Sequence, residues 1–281
     1  MRWNLMPELP EVQTVIKGLR PLIVDKKITE LEVREENLIG YPDISIDELK
    51  KRLIGAKIES ISRRGKYILI NLDIDKILVI HLRMTGKLLV KEAAEFKDKH
   101  THVIFTLDDG QEIRFNNVRK FGRIYLIDPE KPEQAGGLAT LGPEPLSEQL
   151  SLEDFKKLFA NRRGVIKSLL LNQKFIAGIG NIYADEILYL SGIEPERKAD
   201  SLSEEEKEKI YFNMRDILEK GIIYGGTSFS DYVNAFGEKG SFQAELKVHQ
   251  RQGEACHICG SKIKKKKIGG RASYYCPKCQ D

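Results

Sequence analysis

Cysteine is absent from the first 255 residues, so no disulfide framework holds the body of this chain together. Tryptophan is nearly absent: Trp3 is the only one. No apolar run reaches about 18 residues, which excludes a helical membrane span. The opening Met1–Glu11 stretch lacks the apolar core of a secretory signal, so an extracellular setting is not expected. Neither sign of charge dominates, with 46 Lys+Arg against 42 Asp+Glu and a net charge of +4. With 41% hydrophobic and 31% charged residues over 281 positions, collagenous and disordered classes are set aside. What remains is a globular chain long enough for about two domains. No internal repeat is visible.

The charge balance is uneven along the chain. Residues 256–281 hold seven Lys/Arg and one acid, a net +6, leaving −2 for the rest. A basic tail on a near-neutral body suits a polyanion or a solvated surface. All four cysteines lie in the same stretch: Cys256-x2-Cys259, sixteen residues, then Cys276-x2-Cys279. This is the spacing of a zinc ribbon, in which each knuckle brings two thiolates to one ion and two knuckles complete a tetrahedron. Two disulfides or a redox pair are the alternatives. His257 lies inside the first knuckle, but four thiolates already fill the shell, so one structural Zn²⁺ without His257 is expected. Between the knuckles, Lys262–Lys267, Gly269-Gly270 and Ala272–Tyr275 read as a hairpin with Arg271 near its tip.

Upstream, Val12, Val15, Ile16 and Leu19 recur at helical spacing over Glu11–Arg20, with Pro10 suited to a first turn. Seven short β-rich runs follow: Ile28–Arg34, Lys57–Arg63, Tyr67–Leu72, Ile77–Leu82, His102–Leu107, Glu112–Asn116 and Arg123–Ile127. One helix with seven strands suggests an antiparallel sandwich. Pro129–Pro145 reads as a linker. Beyond it the pattern turns helical over Leu152–Ala160, Val165–Leu171, Asn181–Ser191 and Ser203–Gly221, and Gly225–Phe242 reads as a Gly/Ser-rich loop.

Eight features then fall in one order: Met6-Pro7-Glu8-Leu9-Pro10-Glu11-Val12, Arg64-Gly65-Lys66-Tyr67, His81–Gly86, Lys99–Val103, Val118–Gly122, Leu141–Leu146, Gly178–Glu186 and the cysteine ribbon with Arg271. From residue 6 to the end the chain resembles the bacterial formamidopyrimidine-DNA glycosylases. The resemblance implies an α+β multidomain fold: a helix-flanked antiparallel β-sandwich at 7–128, a linker at 129–150, a helix-two-turn-helix domain with a lesion loop at 151–245, and a zinc-finger hairpin at 246–281. Residues 1–6 would be an extension.

The same resemblance implies a glycosylase and abasic-site lyase of base-excision repair, excising oxidised purines such as 8-oxoguanine and formamidopyrimidines. Its partner would be double-stranded DNA carrying those lesions or abasic sites, met by a monomer in the bacterial cytoplasm at the nucleoid, with no membrane involved. Pro7 would attack C1′ as a secondary amine. An α-amino group has a pKa of about 8 against about 10.4 for lysine, so far more of it is neutral near pH 7. Glu8 would protonate the sugar ring oxygen. Lys66 would serve β-elimination and bind phosphate, and Arg271 would serve δ-elimination, more credibly as a phosphate clamp than as a proton donor because arginine stays protonated.

Met84, Arg119 and Phe121 match the residues that fill the void left by an extruded base, with Arg119 facing the orphaned cytosine. Lys120 stands where a second arginine is common, keeping the charge but not the planar fork. His100 and Arg163 match phosphate contacts, and Lys167 a lysine near the lesion. Asn181 opens a helix, as a phosphate ligand, an N-cap or both. His81 and His102 are read as structural. Leu9 and the Val118–Gly122 motif favour the purine branch over the sister endonuclease VIII type, which prefers oxidised pyrimidines. A non-catalytic binder of damaged DNA is the other reading, because an amide at Pro7 has no basic lone pair. A start at Met6 followed by methionine removal is therefore expected.

Overall fold

The computed structural model describes residues 6–40, 45–228 and 232–281. The extension up to Leu5, with Trp3, lies outside the described residues. Contacts divide the chain into two units, one of Met1–Thr140 with Tyr224–Ser241, the other of Leu141–Ile223 with Phe242–Asp281.

The first unit opens with helix α1, Leu9–Ile23, where Val12, Val15, Ile16, Leu19 and Ile23 line one buried face. Strand β1 (Ile28–Val33) and helix α2 (Ile46–Leu53) follow, then β2 (Ile58–Arg64), β3 (Tyr67–Leu72), β4 (Lys76–His81), β5 (Gly86–Glu92), β6 (Thr101–Leu107), β7 (Gln111–Asn117) and β8 (Arg123–Ile127). They form two four-stranded antiparallel sheets, ordered β1-β6-β7-β5 and β2-β3-β4-β8. Residues from both sheets, among them Ile61, Ile68, Ile70, Leu88, Phe105 and Phe115, join the α1 face in one core. Among the described residues the sandwich thus has eight strands, not seven. Strand β5 escapes a pattern reading because its short Gly-Lys-Leu-Leu-Val-Lys-Glu run mixes adjacent leucines with lysines. Helix α2 escapes because it is only 8 residues long and buries just Leu49 and Leu53.

Strand β5 is an edge, and edges need cover. Ala235 supplies it at one point: the Val90 N–H donates to the Ala235 carbonyl at 3.4 Å. Ala235 itself is fully buried in the core. A Cβ at Gly18 would stand 2.9 Å from the Ala235 Cβ, so the glycine on α1 is the notch that admits Ala235. These contacts join Ala235 to the sandwich.

The second unit contains α3 (Leu152–Lys157), α4 (Ile166–Leu170), α5 (Asn181–Ser191), α6 (Glu204–Ile223) and the antiparallel hairpin β9 (Lys264–Ile268) and β10 (Arg271–Tyr275). Phe155, Phe159, Phe175 and Tyr211 form its aromatic centre, with ring centroids 5.2–6.4 Å apart. The stretch expected to link domains is partly built in here: the Gly142 N–H donates to the Gln173 carbonyl at 2.8 Å, and the Ala177 N–H to the Pro143 carbonyl at 3.0 Å. Gly269 and Gly270 both adopt positive φ, 54° and 80°, as a two-residue hairpin turn requires. Among the described residues no helix is long and apolar enough to cross a membrane.

Candidate active site and zinc centre

Pro7 and Glu8 are buried at the mouth of α1, and Glu8 is the helix N-cap. Glu11 closes a capping box, its Oε2 accepting the Glu8 N–H at 2.9 Å. Its other oxygen accepts the Thr227 N–H at 2.7 Å, and its carbonyl accepts the Tyr232 hydroxyl at 3.2 Å. One carboxylate, 2% exposed, therefore holds both the Pro7-Glu8 turn and Thr227. Burial and the Glu11 charge push the Tyr232 phenol pKa upward, so Tyr232 remains a donor. A Cβ at Gly226, where φ is 81°, would meet the Glu11 side chain at 2.9 Å.

Lys66 lies in the turn between β2 and β3 and is buried. Gly65, at φ 55°, makes that turn, and Arg63 braces it through the Gly65 carbonyl at 2.9 Å and Gln13 of α1 at 3.2 Å. His81 faces Tyr67 across β3 and β4, the rings edge-to-face at 4.5 Å. Its Nδ1 accepts the Arg83 N–H at 3.0 Å. Burial first, then the charges of Arg83 and Lys66, push the imidazole pKa down to about 3. His81 is thus a neutral wall beside Lys66. His102 is likewise buried, and burial lowers its pKa.

The three void-filling candidates come together. The Arg119 Nη1 stands 3.3 Å from the Met84 sulfur, and its guanidinium lies over the Phe121 ring, 5.0 Å from the centroid. Phe121 is 50% exposed, unusual for an aromatic side chain with no core role. Two buried residues staple the loops that carry them: Thr85 donates to Asn117 Oδ1 at 3.0 Å and accepts the Arg119 N–H at 3.1 Å. Lys120, at φ 54°, pairs with Glu35, and that bond lowers the Glu35 pKa. His100, half-buried, sits 6.4 Å from the His102 ring.

In the second unit Arg163 is exposed just before α4 and Arg271 is exposed at the start of β10. Asn181 is the first residue of α5, but Gly180 is the N-cap, which leaves the Asn181 amide for another partner. Its Nδ2 donates to the Ala272 carbonyl at 2.9 Å. Lys167 is fully buried; its ammonium donates to Asp185 at 2.5 Å, Ser273 at 2.6 Å and the Ala272 carbonyl at 3.0 Å.

The four cysteine sulfurs lie within 4.8 Å of one another, with Cys256–Cys279 at 3.8 Å and Cys259–Cys276 at 3.4 Å. Tetrahedral Zn–S bonds of about 2.3 Å put sulfurs about 3.8 Å apart. A disulfide needs about 2.05 Å, so the thiolate reading fits and the disulfide alternative does not. His257 is exposed and outside the cluster. The Tyr189 hydroxyl stands 3.2 Å from Cys256 Sγ as an outer partner.

Sequence reasoning passed over Glu11, Thr85, Asn117, Asp185, Glu186 and His249. Only Glu11 had a readable signal, its capping-box spacing from Glu8. The others acquire partners far away in sequence.

The described residues thus comprise a sandwich that carries the Met84–Arg119–Phe121 cluster and a helical unit that carries a four-thiolate ribbon of the zinc-finger class. Family models match in that order: the formamidopyrimidine-DNA glycosylase N-terminal domain over residues 6–124, its H2TH domain over 141–233, and the zinc finger found in FPG and IleRS over 253–281. The formamidopyrimidine-DNA glycosylase of Pelotomaculum thermopropionicum is 45% identical over 275 residues, covering 98% of this chain and 99% of that protein. A Lactococcus lactis FPG mutant bound to Fapy-dG DNA matches at a TM-score of 0.90 and 37% identity, covering 98% and 100% of the two chains. The same bacterium's Fpg bound to abasic-site DNA matches at 0.90 and 36%, covering 98% and 99%. The chain belongs to the formamidopyrimidine-DNA glycosylase family. The ribbon holds one structural zinc ion.

Proposed function

We propose that this protein is a bifunctional DNA glycosylase and abasic-site lyase of base-excision repair, acting as a monomer on double-stranded DNA that carries oxidised purines. The carrying observation is the cluster of half-buried Met84 with exposed Arg119 and Phe121, since extruding a base costs a few kcal/mol of stacking and leaves a gap that an apolar wedge can fill and a cation can face. Family membership over nearly the whole chain supports the chemistry, and the bacterial relatives support a cytoplasmic setting. The domain limits of 7–128, 129–150, 151–245 and 246–281 belong to this proposal.

In this reading the Pro7 nitrogen bonds to C1′ as the base leaves, and Glu8 protonates the ring oxygen to give an open-chain iminium. A proton then leaves C2′, the C3′–O bond breaks and the 3′ phosphate departs. Loss of the C4′ proton breaks the C5′–O bond and releases the 5′ phosphate. Lys66 serves the first elimination. Arg271, Asn181, His100 and Arg163 hold phosphates, and Arg119 faces the orphaned base. The zinc ion carries no step; it supports the hairpin that bears Arg271.

The test is borohydride trapping on duplex containing 8-oxoguanine. Protein beginning at Pro7 is expected to form the covalent adduct, and protein retaining Met1–Met6, with its intact mass verified, is expected to form none. Equal trapping by both removes Pro7 as the nucleophile.

A further inference from the structure

Four ionisable groups in the second unit are withdrawn from water. Lys167 and Glu186 are fully buried, Asp185 is 1% exposed and His249 2%. Asp185 lies between two partners, accepting from the Lys167 ammonium at 2.5 Å and from His249 Nδ1 at 2.7 Å. Its neighbour Glu186 accepts the backbone N–H groups of Lys247, Val248 and His249 at 2.8, 3.0 and 2.8 Å. Burial raises the Glu186 pKa, while the three amides oppose that rise. Two consecutive carboxylates of α5 thus grip the 247–249 connector, one by its side chain and the other by its backbone.

A buried ion pair is weak evidence of stability, because desolvation offsets most of its attraction. Such a pair better serves to select one arrangement over its neighbours. The Lys167 ammonium selects among three segments at once: α5 through Asp185, β10 through Ser273 and the Ala272 carbonyl, and its own helix α4. The Ala272 carbonyl is shared, receiving Asn181 Nδ2 at 2.9 Å and Lys167 Nζ at 3.0 Å. Ala272 directly follows Arg271.

We infer that Lys167, Asp185 and His249 form a positioning network that locks the zinc hairpin onto α4 and α5, so that Arg271 and Asn181 address one phosphate together. Lys167 is then a positioning residue with no DNA contact of its own. The inference rests on the proposed lyase reading and on Arg271 acting at the second elimination.

The test uses the full chain, zinc-loaded, on duplex with a preformed abasic site, and measures the ratio of δ- to β-elimination product. Ser273→Ala removes one acceptor from Lys167 without stranding a charge; Asp185→Asn removes the counter-charge, and Arg271→Ala is the reference. Both network variants are expected to keep one zinc per chain and to trap under borohydride within about twofold of wild type. Their δ/β ratio is expected to fall, by up to about a hundredfold for a displacement of about 1 Å, towards that of Arg271→Ala. If Asp185→Asn fails to fold, Ser273→Ala decides. An unmoved ratio in folded, trapping variants overturns the inference and leaves the lyase reading intact. A wild-type protein that neither traps nor cleaves overturns the lyase reading, and this inference with it.

Discussion

His81 shows what burial does to one residue. Its Nδ1 accepts a backbone N–H, so protonation would place two donors face to face. The folded pKa of about 3 lies below the ordinary histidine value of 6.5. Between these values the unfolded chain binds a proton that the native chain does not. The contribution of His81 is therefore complete above the unfolded pKa and is lost as pH falls towards the folded one, by up to about 1.4 kcal/mol per pH unit. In urea titrations stepped from about pH 7 to about pH 5, His81→Gln is expected to lose stability less steeply than wild type. Parallel slopes would show that His81 titrates normally in the fold. The motif carrying His81 was legible in the sequence; the neutral state was not, because it depends first on burial and then on the charges of Arg83 and Lys66, the latter brought near from the β2–β3 turn.

At the scale of elements, the loops before β5 and after β7 act as one device. Thr85 joins them by donating to Asn117 and accepting from Arg119. Arg119→Ala is expected to erase the preference for a lesion paired with cytosine, while excision opposite the other bases changes little. Thr85→Val, nearly isosteric, leaves a buried donor and acceptor unmatched, at about 1–3 kcal/mol, and is expected to blunt the same preference; Thr85→Ser is expected to restore it. The measurement is the excision rate opposite each of the four bases. A Thr85→Val profile identical to wild type would show that the staple does not set the wedge. The ribbon is a second such element. Cys276→Ala is expected to drop zinc well below one per chain, by metal analysis, and to weaken binding to every duplex, because ligation and folding of the hairpin are coupled. Full zinc with full affinity would contradict the four-thiolate centre.

Across the whole molecule, what the sequence determined by itself is the set of local features. The α1 stripe, most strands of the sandwich, the Gly-Gly turn and the cysteine knuckles depend on contacts within a few residues or on simple periods, and they stand where the pattern places them. The candidate residues were legible because they sit in contiguous motifs. Strand β5 and α2 were missed because their patterns are too short or too charged. Only the tertiary structure decided that Ala235 meets the β5 edge, that Glu11 ties Thr227 to Glu8, and that Lys167 is enclosed by Asp185, Ser273 and the Ala272 carbonyl. The physical reason is the same in each case. A buried carboxylate or ammonium must find its partners wherever the chain brings them, here 216 positions away for Thr227 and Glu11, and 106 for Ser273 and Lys167. No local period encodes such a meeting.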